Sequence, residues 1–204
     1  MLKKFASDAL GLSDIGKIIE PHDYDKTGAD DYVRHEDNEK IYFLIKTKAD
    51  EYCFTNLAFI HVDGANAVSS KRVLKRYPYS QHKITDVLLE TAGKIDLDIE
   101  IKFTLGNQHY SIDVDKKQIN KLNDLYKALL YISEVTIENN IMLQMASASL
   151  DKATNILQNT RPADIALADQ YKQLTEFSFD WLKSTREQYH QKDFGAVFEK
   201  YINN

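Results

Sequence analysis

The run Ile95-Asp96-Leu97-Asp98-Ile99-Glu100-Ile101-Lys102-Phe103 decides how this chain is read. Apolar and charged residues alternate strictly, the period of a β-strand with one buried and one wet face. Asp96, Asp98 and Glu100 thus form a solvated face, with no need to invoke acid–base chemistry. Gly106-Asn107-Gln108 then turns the chain into Tyr110-Ser111-Ile112-Asp113-Val114, completing a hairpin.

Working outward, the same texture extends toward the N-terminus. Ile41–Ile45, Tyr52–Thr55, Leu57–Val62, Arg72–Tyr79 and Ile84–Thr91 read as further short strands, with a turn at Asp63-Gly64. No helical pattern separates them. A parallel sheet needs crossovers, so these strands form an antiparallel meander, and closure into a small barrel or sandwich would remove its edges. Asp115–Ile132 follows as a helix with Asp115 as N-cap. Its apolar positions Ile119, Leu122, Leu125, Tyr126, Leu129 and Leu130 have helical spacing and would lie across one barrel opening.

After Leu130 the character changes. Residues 1–130 hold 19 basic and 21 acidic side chains, net −2; residues 131–204 hold 7 and 10, net −3, with a single Gly and a single Pro. Leu143, Leu150 and Leu157 recur every seven residues, with Ala146 and Ala153 between them. Arg161-Pro162 breaks the helix, and Leu167, Leu174 and Trp181 form a second heptad set. Tyr171, Phe177, Phe179, Leu182 and Tyr189 widen that set, and Phe194, Val197, Phe198 and Tyr201 continue it past Gly195. Two helices cannot bury so much apolar surface on each other alone. Leu143, Leu150, Leu157, Leu167, Leu174, Phe177 and Trp181 are therefore the expected self-association residues, and Trp181 with Phe177 and Tyr171 the expected interface aromatics.

Composition excludes several functions. The 204 residues carry 26 Lys and Arg against 31 Asp and Glu, a formal charge of −5, which disfavours broad electrostatic binding to nucleic acid or anionic lipid. One cysteine, Cys53, excludes an internal disulfide and a multi-cysteine zinc site; flanked by Tyr52 and Phe54 on a strand, it reads as an inert small hydrophobe. No signal peptide or spanning segment is legible, so a cytoplasmic protein is expected. The six histidines show no metal-ligand spacing, and neither a Gly-x-Ser-x-Gly elbow nor a Gly-rich phosphate loop occurs. Asp23-Tyr24-Asp25-Lys26-Thr27-Gly28 imitates the start of a calcium loop, but Arg34 stands where a closing Glu belongs, so an ordinary turn is expected. No enzyme activity, cofactor or metal is expected. Lys71-Arg72-Val73-Leu74-Lys75-Arg76 is the one basic cluster. Alternation splits its charges between two strand faces, which suits a charge-protected edge; an anion or partner patch at Lys71, Arg72, Lys75 and Arg76 is the sharper reading.

Ser13-Asp14-Ile15-Gly16-Lys17, Asp30-Asp31-Tyr32-Val33, Glu39-Lys40-Ile41-Tyr42-Phe43, Glu51-Tyr52-Cys53-Phe54-Thr55-Asn56 and Glu90-Thr91-Ala92-Gly93-Lys94-Ile95-Asp96 together resemble the bacterial pleckstrin-homology (PH) domain. The tail resembles the YvbH-like oligomerisation region that follows it. The resemblance implies a mainly β plus α fold: a PH-like seven-stranded β-barrel capped by a C-terminal helix, over 1–132 with a helical or irregular lead-in at 1–36, then an α-helical hairpin over 133–204. It also implies ring-like homo-oligomers and no reaction. Phosphoinositide binding does not carry over, because the first hairpin, Lys46-Thr47-Lys48-Ala49-Asp50-Glu51, holds as many acids as bases. The function expected is a non-enzymatic, self-assembling PH-like scaffold with the chain itself as partner. The alternative is a peripheral membrane or protein-partner adaptor using the barrel surface.

Overall fold

The computed structural model describes residues 15–64, 72–91, 98–159 and 167–202, the side chains at 156–159 and 167–168 excepted. Within these, eight strands form two antiparallel sheets. The first holds β1 (Lys17–Ile18), β2 (Ile41–Lys46), β3 (Glu51–Thr55), β4 (Ala58–Gly64) and β5 (Arg72–Pro78) in chain order. The second holds β6 (Ile84–Glu90), β7 (Asp98–Leu105) and β8 (Gln108–Asp115). A mixed β/α architecture with antiparallel strands is as expected, but a single closed seven-stranded barrel is not what forms. The sheets meet at one seam, where Gly16 bridges Val114 in parallel and donates its N–H to the Asp113 carbonyl at 2.8 Å. At the other seam β5 and β6 are not laddered to each other.

Alternation along β7 is realised residue by residue. Ile99, Ile101, Phe103 and Leu105 are buried, and Asp98, Glu100, Lys102 and Thr104 are not; 95–97 lie outside the described residues. Gly106, at φ +58°, makes the turn into β8. Between the sheets sits an aromatic core. Phe59 meets Phe103 at 5.4 Å and Tyr110 at 4.8 Å, and Phe54 meets Phe103 at 5.9 Å, all ring centroids near edge-on. Strand β4 runs through Gly64 to pair with Arg72, which corrects the expected turn at Asp63-Gly64. Glycine is required there by close approach, since a Cβ would lie 2.0 Å from the Ala49 carbonyl oxygen.

The first sheet is apolar on its second face too. Leu44, Cys53, Ile60 and Val62 pack there against Ile19, Ala29 and Val33 of the lead-in, which folds as three 3-10 turns, Pro21–Lys26, Asp30–Tyr32 and His35–Asp37. Two buried carboxylates pin this cover. Glu51 accepts from the Ala29 N–H at 2.6 Å, the Gly28 N–H at 3.2 Å and Lys46 Nζ. Glu39 accepts from the Arg34 N–H at 2.9 Å, Arg76 Nη2 at 3.0 Å and Thr55 Oγ1. Each buried charge is met by several donors, the condition under which burying one is tolerable. In the same lead-in Asp23, the first acid of the calcium-like stretch, is engaged by Lys26.

Asp115 caps as expected, accepting from the Lys117 N–H at 2.9 Å; a short 3-10 turn then leads into helix α1 (Ile119–Asn159). Leu122, Leu125, Ala128, Leu129 and Ile132 are buried. The helix expected to stop at Ile132 continues, because nothing from Tyr131 to Asn159 is Gly or Pro. Helix α2 (Leu167–Tyr189) follows; the break at Arg161-Pro162 lies outside the described residues.

The chain divides into two compact units. One comprises the described residues of 1–134 together with those of 192–204, the other the described residues of 135–191. The last helix, α3 (Gly195–Ile202), accordingly belongs with the sheets, and Phe194, Val197 and Phe198 are buried there and do not continue the α2 seam. The physical reason is local. Residues 190–194 are not helical, so the register of α2 is not propagated, and Asp193 caps a fresh helix by accepting from the Gly195 N–H at 2.7 Å.

Two outcomes test this account. A Cβ on Gly16 would lie 2.7 Å from Ile45 Cγ2 and 2.8 Å from the Asp113 oxygen, so Gly16→Ala forces the seam apart. Urea denaturation is expected to show a loss of about 1–3 kcal/mol, as for overpacking elsewhere. Asp50 faces His61, Nε2 to Oδ1 3.3 Å, and that hydrogen bond holds its carboxyl below the usual value. A depressed carboxylate stabilises the fold above its unfolded pKa, and this is lost as pH falls through the folded one. The stability gap between wild type and Asp50→Asn is therefore expected to be widest near neutrality and to close below pH ~4.

Candidate functional site

The sheet unit holds several chemistry-bearing side chains, and their surroundings are structural. Cys53 is fully buried beneath the lead-in, and desolvation, with Glu39 and Glu51 nearby, pushes its thiol well up. Such a sulfur is no nucleophile. Among the described residues no group of three His, Cys, Asp or Glu side chains converges as a metal site would require. A cleft of ≈ 130 Å³ is lined by Ile18, Ile19, Tyr24, Tyr42, Phe43 and Ile202, with Glu20 and Lys121 ion-paired to each other at its wall. It has room for about one aromatic ring.

Three of the four cluster cations, Arg72, Lys75 and Arg76, lie on β5. Lys71 lies outside the described residues. Lys75 pairs with Asp63 at 3.3 Å and Arg76 with Glu39 at 3.0 Å. Arg72 is exposed, with Val73 and Leu74 exposed beside it on the edge strand. Of the three described cations, two therefore face acids and one is exposed.

The helical unit presents the opposite picture. On α2, Tyr171, Phe177, Phe179, Trp181 and Leu182 are between 42% and 72% exposed. The more covered positions are the polar Gln170, Ser178 and buried Thr185 together with Leu174 and Tyr189, and helical geometry sets them in one stripe. Phe177 and Trp181 lie toward one edge of that stripe, and Tyr171 and Leu182 toward the other. On α1, Leu143, Ala146 and Leu150 are half-buried; the side chains of Leu157 and Leu167 are not among those described. Ile137, Ile141 and Met145, four residues apart, make a second apolar stripe that is exposed. Helical spacing puts it roughly opposite Leu143 and Leu150.

A helix apolar on two faces belongs in an interior. Of the residues expected to drive self-association, Phe177 and Trp181 are exposed, and Leu143, Leu150 and Leu174 are half-covered. Heptad reasoning missed Ile137, Ile141 and Met145, since a four-residue repeat is invisible to a seven-residue template. The signal was present in the plain count of apolar residues around the helix.

These features agree with what the chain is similar to. Residues 9–133 match the bacterial PH domain family, and residues 144–204 match the YvbH-like oligomerisation region. The chain belongs to the bacterial PH-domain family. It is 72% identical, over the whole length of both proteins, to "Uncharacterized protein YvbH" of Bacillus subtilis (strain 168). A crystal structure of a PH-domain-containing bacterial protein from Exiguobacterium sibiricum 255-15 is 55% identical and superposes with a TM-score of 0.85, covering 93% of this chain and 100% of that one. The segment matched as an oligomerisation region runs to residue 204, yet its last described part, 192–202, lies in the sheet unit.

Burial of Cys53 has a direct readout. With a disulfide reagent the native protein is expected to react at least about 100-fold more slowly than the urea-unfolded chain, because the thiolate forms only on opening.

Proposed function

We propose that this protein is a non-enzymatic scaffold that assembles from copies of itself through residues 135–191 and presents the PH-like unit as a repeated binding surface. The observation that carries this reading is the double apolar character of the helical unit, Ile137, Ile141 and Met145 on α1 with Phe177, Phe179, Trp181 and Leu182 on α2, all exposed in a single chain. Exposed aromatic and aliphatic stripes of this kind are what interface cores are made of. The match to a region described as YvbH-like oligomerisation supports the same occupant, a second copy. The division at 132/133, the assignment of Leu143, Leu150, Leu157, Leu167, Leu174, Phe177 and Trp181 to packing between protomers, and ring closure belong to this proposal, as does a reducing cytoplasmic setting. Repetition would turn weak single contacts into avidity.

A second reading uses the sheet surface as an adaptor. It is favoured by Val73 and Leu74, exposed beside Arg72 on β5, the last strand of its sheet among the described residues, where an extended partner segment would find apolar contact. Membrane attachment at Lys71, Arg72, Lys75 and Arg76 is weaker, since Lys75 and Arg76 already face acids. Among the described residues no helix is long and apolar enough to cross a membrane.

Native mass spectrometry with multi-angle light scattering tests the first reading on the full chain. Wild type is expected to run well above monomer mass at micromolar concentration. Phe177→Glu with Trp181→Glu is expected to shift it toward monomer without loss of helical circular dichroism. Each substitution should cost about 2 kcal/mol of association, roughly 30-fold in dissociation constant. A wild-type chain that stays monomeric at tens of micromolar overturns the proposal.

A further inference from the structure

Helix α3 is eight residues long, and a helix that short does not hold together in water by itself. It exists because it is docked. Phe194 and Phe198, one turn apart, are fully buried, and Val197 nearly so. Tyr42 on β2 stacks against Phe198 with centroids 5.4 Å apart and planes 17° apart. Tyr79, just past β5, meets Phe194 edge-on at 5.8 Å. Asn56, at the turn between β3 and β4, supplies the polar end of the surface. Its Nδ2 donates to Asp193 Oδ2 at 2.7 Å, its carbonyl accepts from the Phe194 N–H at 2.8 Å, and its Oδ1 accepts from the Lys40 N–H at 2.8 Å. Asp193 thus serves two partners at once, Asn56 and the Gly195 N–H at 2.7 Å. At the far end Lys200 Nζ lies 4.8 Å from the centre of the Tyr131 ring.

This is how a groove recognises a short amphipathic helix: two aromatic anchors on one face, and a polar clamp that sets the register of the helix start. A Cβ on Gly195 would sit 3.0 Å from both Tyr42 Oη and Asp193 Oδ1, so the recognised sequence is narrow, an Asp-Phe-Gly start with Val and Phe three and four residues after the first Phe. The segment reaches this surface only after the whole of residues 135–191, and 190–194, which precede it, are not helical. Closing so long a loop costs little more than closing a short one, and the tether supplies only a finite effective concentration. The same segment of a neighbouring copy would present identical chemistry.

We infer that the Tyr42–Asn56–Tyr79 surface is a docking groove for the Asp193–Ile202 segment of this chain, filled here in cis and open to the same segment of a second copy. The inference does not depend on the α2 aromatics, and its test reads docking whether or not the chain assembles. The probe is a fluorescein-labelled synthetic peptide of residues 190–202, added to full-length protein. The host is the full chain carrying Phe198→Ala, with Asp193→Ala as a milder second host should the first fail to fold. Saturable polarisation is expected with the variant hosts, at least about ten-fold tighter than with wild type, whose tethered helix competes. Binding is also expected to return the melting temperature of the host toward wild type, and a peptide carrying Phe198→Ala is expected to do neither. Folded hosts that bind no better than wild type, or that bind the altered peptide equally well, overturn the inference.

Discussion

Strands β2 to β4 carry apolar side chains on both faces, and a sheet in that condition has to be covered twice. On one side Phe54 and Phe59 are met by Phe103 and Tyr110 of the second sheet. On the other, Leu44, Cys53, Ile60 and Val62 are met by a lead-in whose regular structure is limited to three short 3-10 turns. That cover is held by Glu39 and Glu51, whose carboxylates collect backbone N–H groups which a run of 3-10 turns would otherwise leave unpaired. The rest of the sheet unit, the Gly16 seam included, is arranged around this doubly covered sheet.

The helical unit follows the opposite logic. Its helices distribute apolar residues around more than one face, so one copy of the chain leaves large side chains in water. One unit has a central sheet covered on both faces, and the other has helices that leave several apolar faces open; the proposed split between presentation and assembly rests on that contrast. Helix α3 complicates that separation: the chain leaves the sheet unit through α1 and returns to it through Asn56 and Tyr42, so both ends of the helical unit are anchored in one domain.

Much of the fold was legible in residue order. Alternation located β7 to within a few residues, Asp115 announced the helix start, and the absence of helical patterning before it excluded a parallel sheet. The resemblance carried the family. Less legible was everything decided by contact between distant residues. Phe194, Val197 and Phe198 fit the heptad extension from α2, but the helical break at 190–194 and contacts with the distant Tyr42, Asn56 and Tyr79 place them on the sheet unit. The burial of Glu39 and Glu51 was not legible, because nothing nearby in sequence predicts that Arg76 and the Gly28–Ala29 backbone will reach them. The exposed stripe at Ile137, Ile141 and Met145 was hidden by a template tuned to seven-residue repeats.

The sequence by itself determined the local periods: two-residue alternation for the strands and helical spacing for α1 and α2. These depend on side chains a few positions apart, so a one-dimensional reading captures them. Tertiary structure decided which apolar face met which partner: the lead-in over the first sheet, two sheets meeting at a Gly16 seam in place of one closed barrel, and α3 on the PH-like unit. Those choices turn on loop closure and on desolvating charges in company with their donors, terms that exist only once distant segments share the same space.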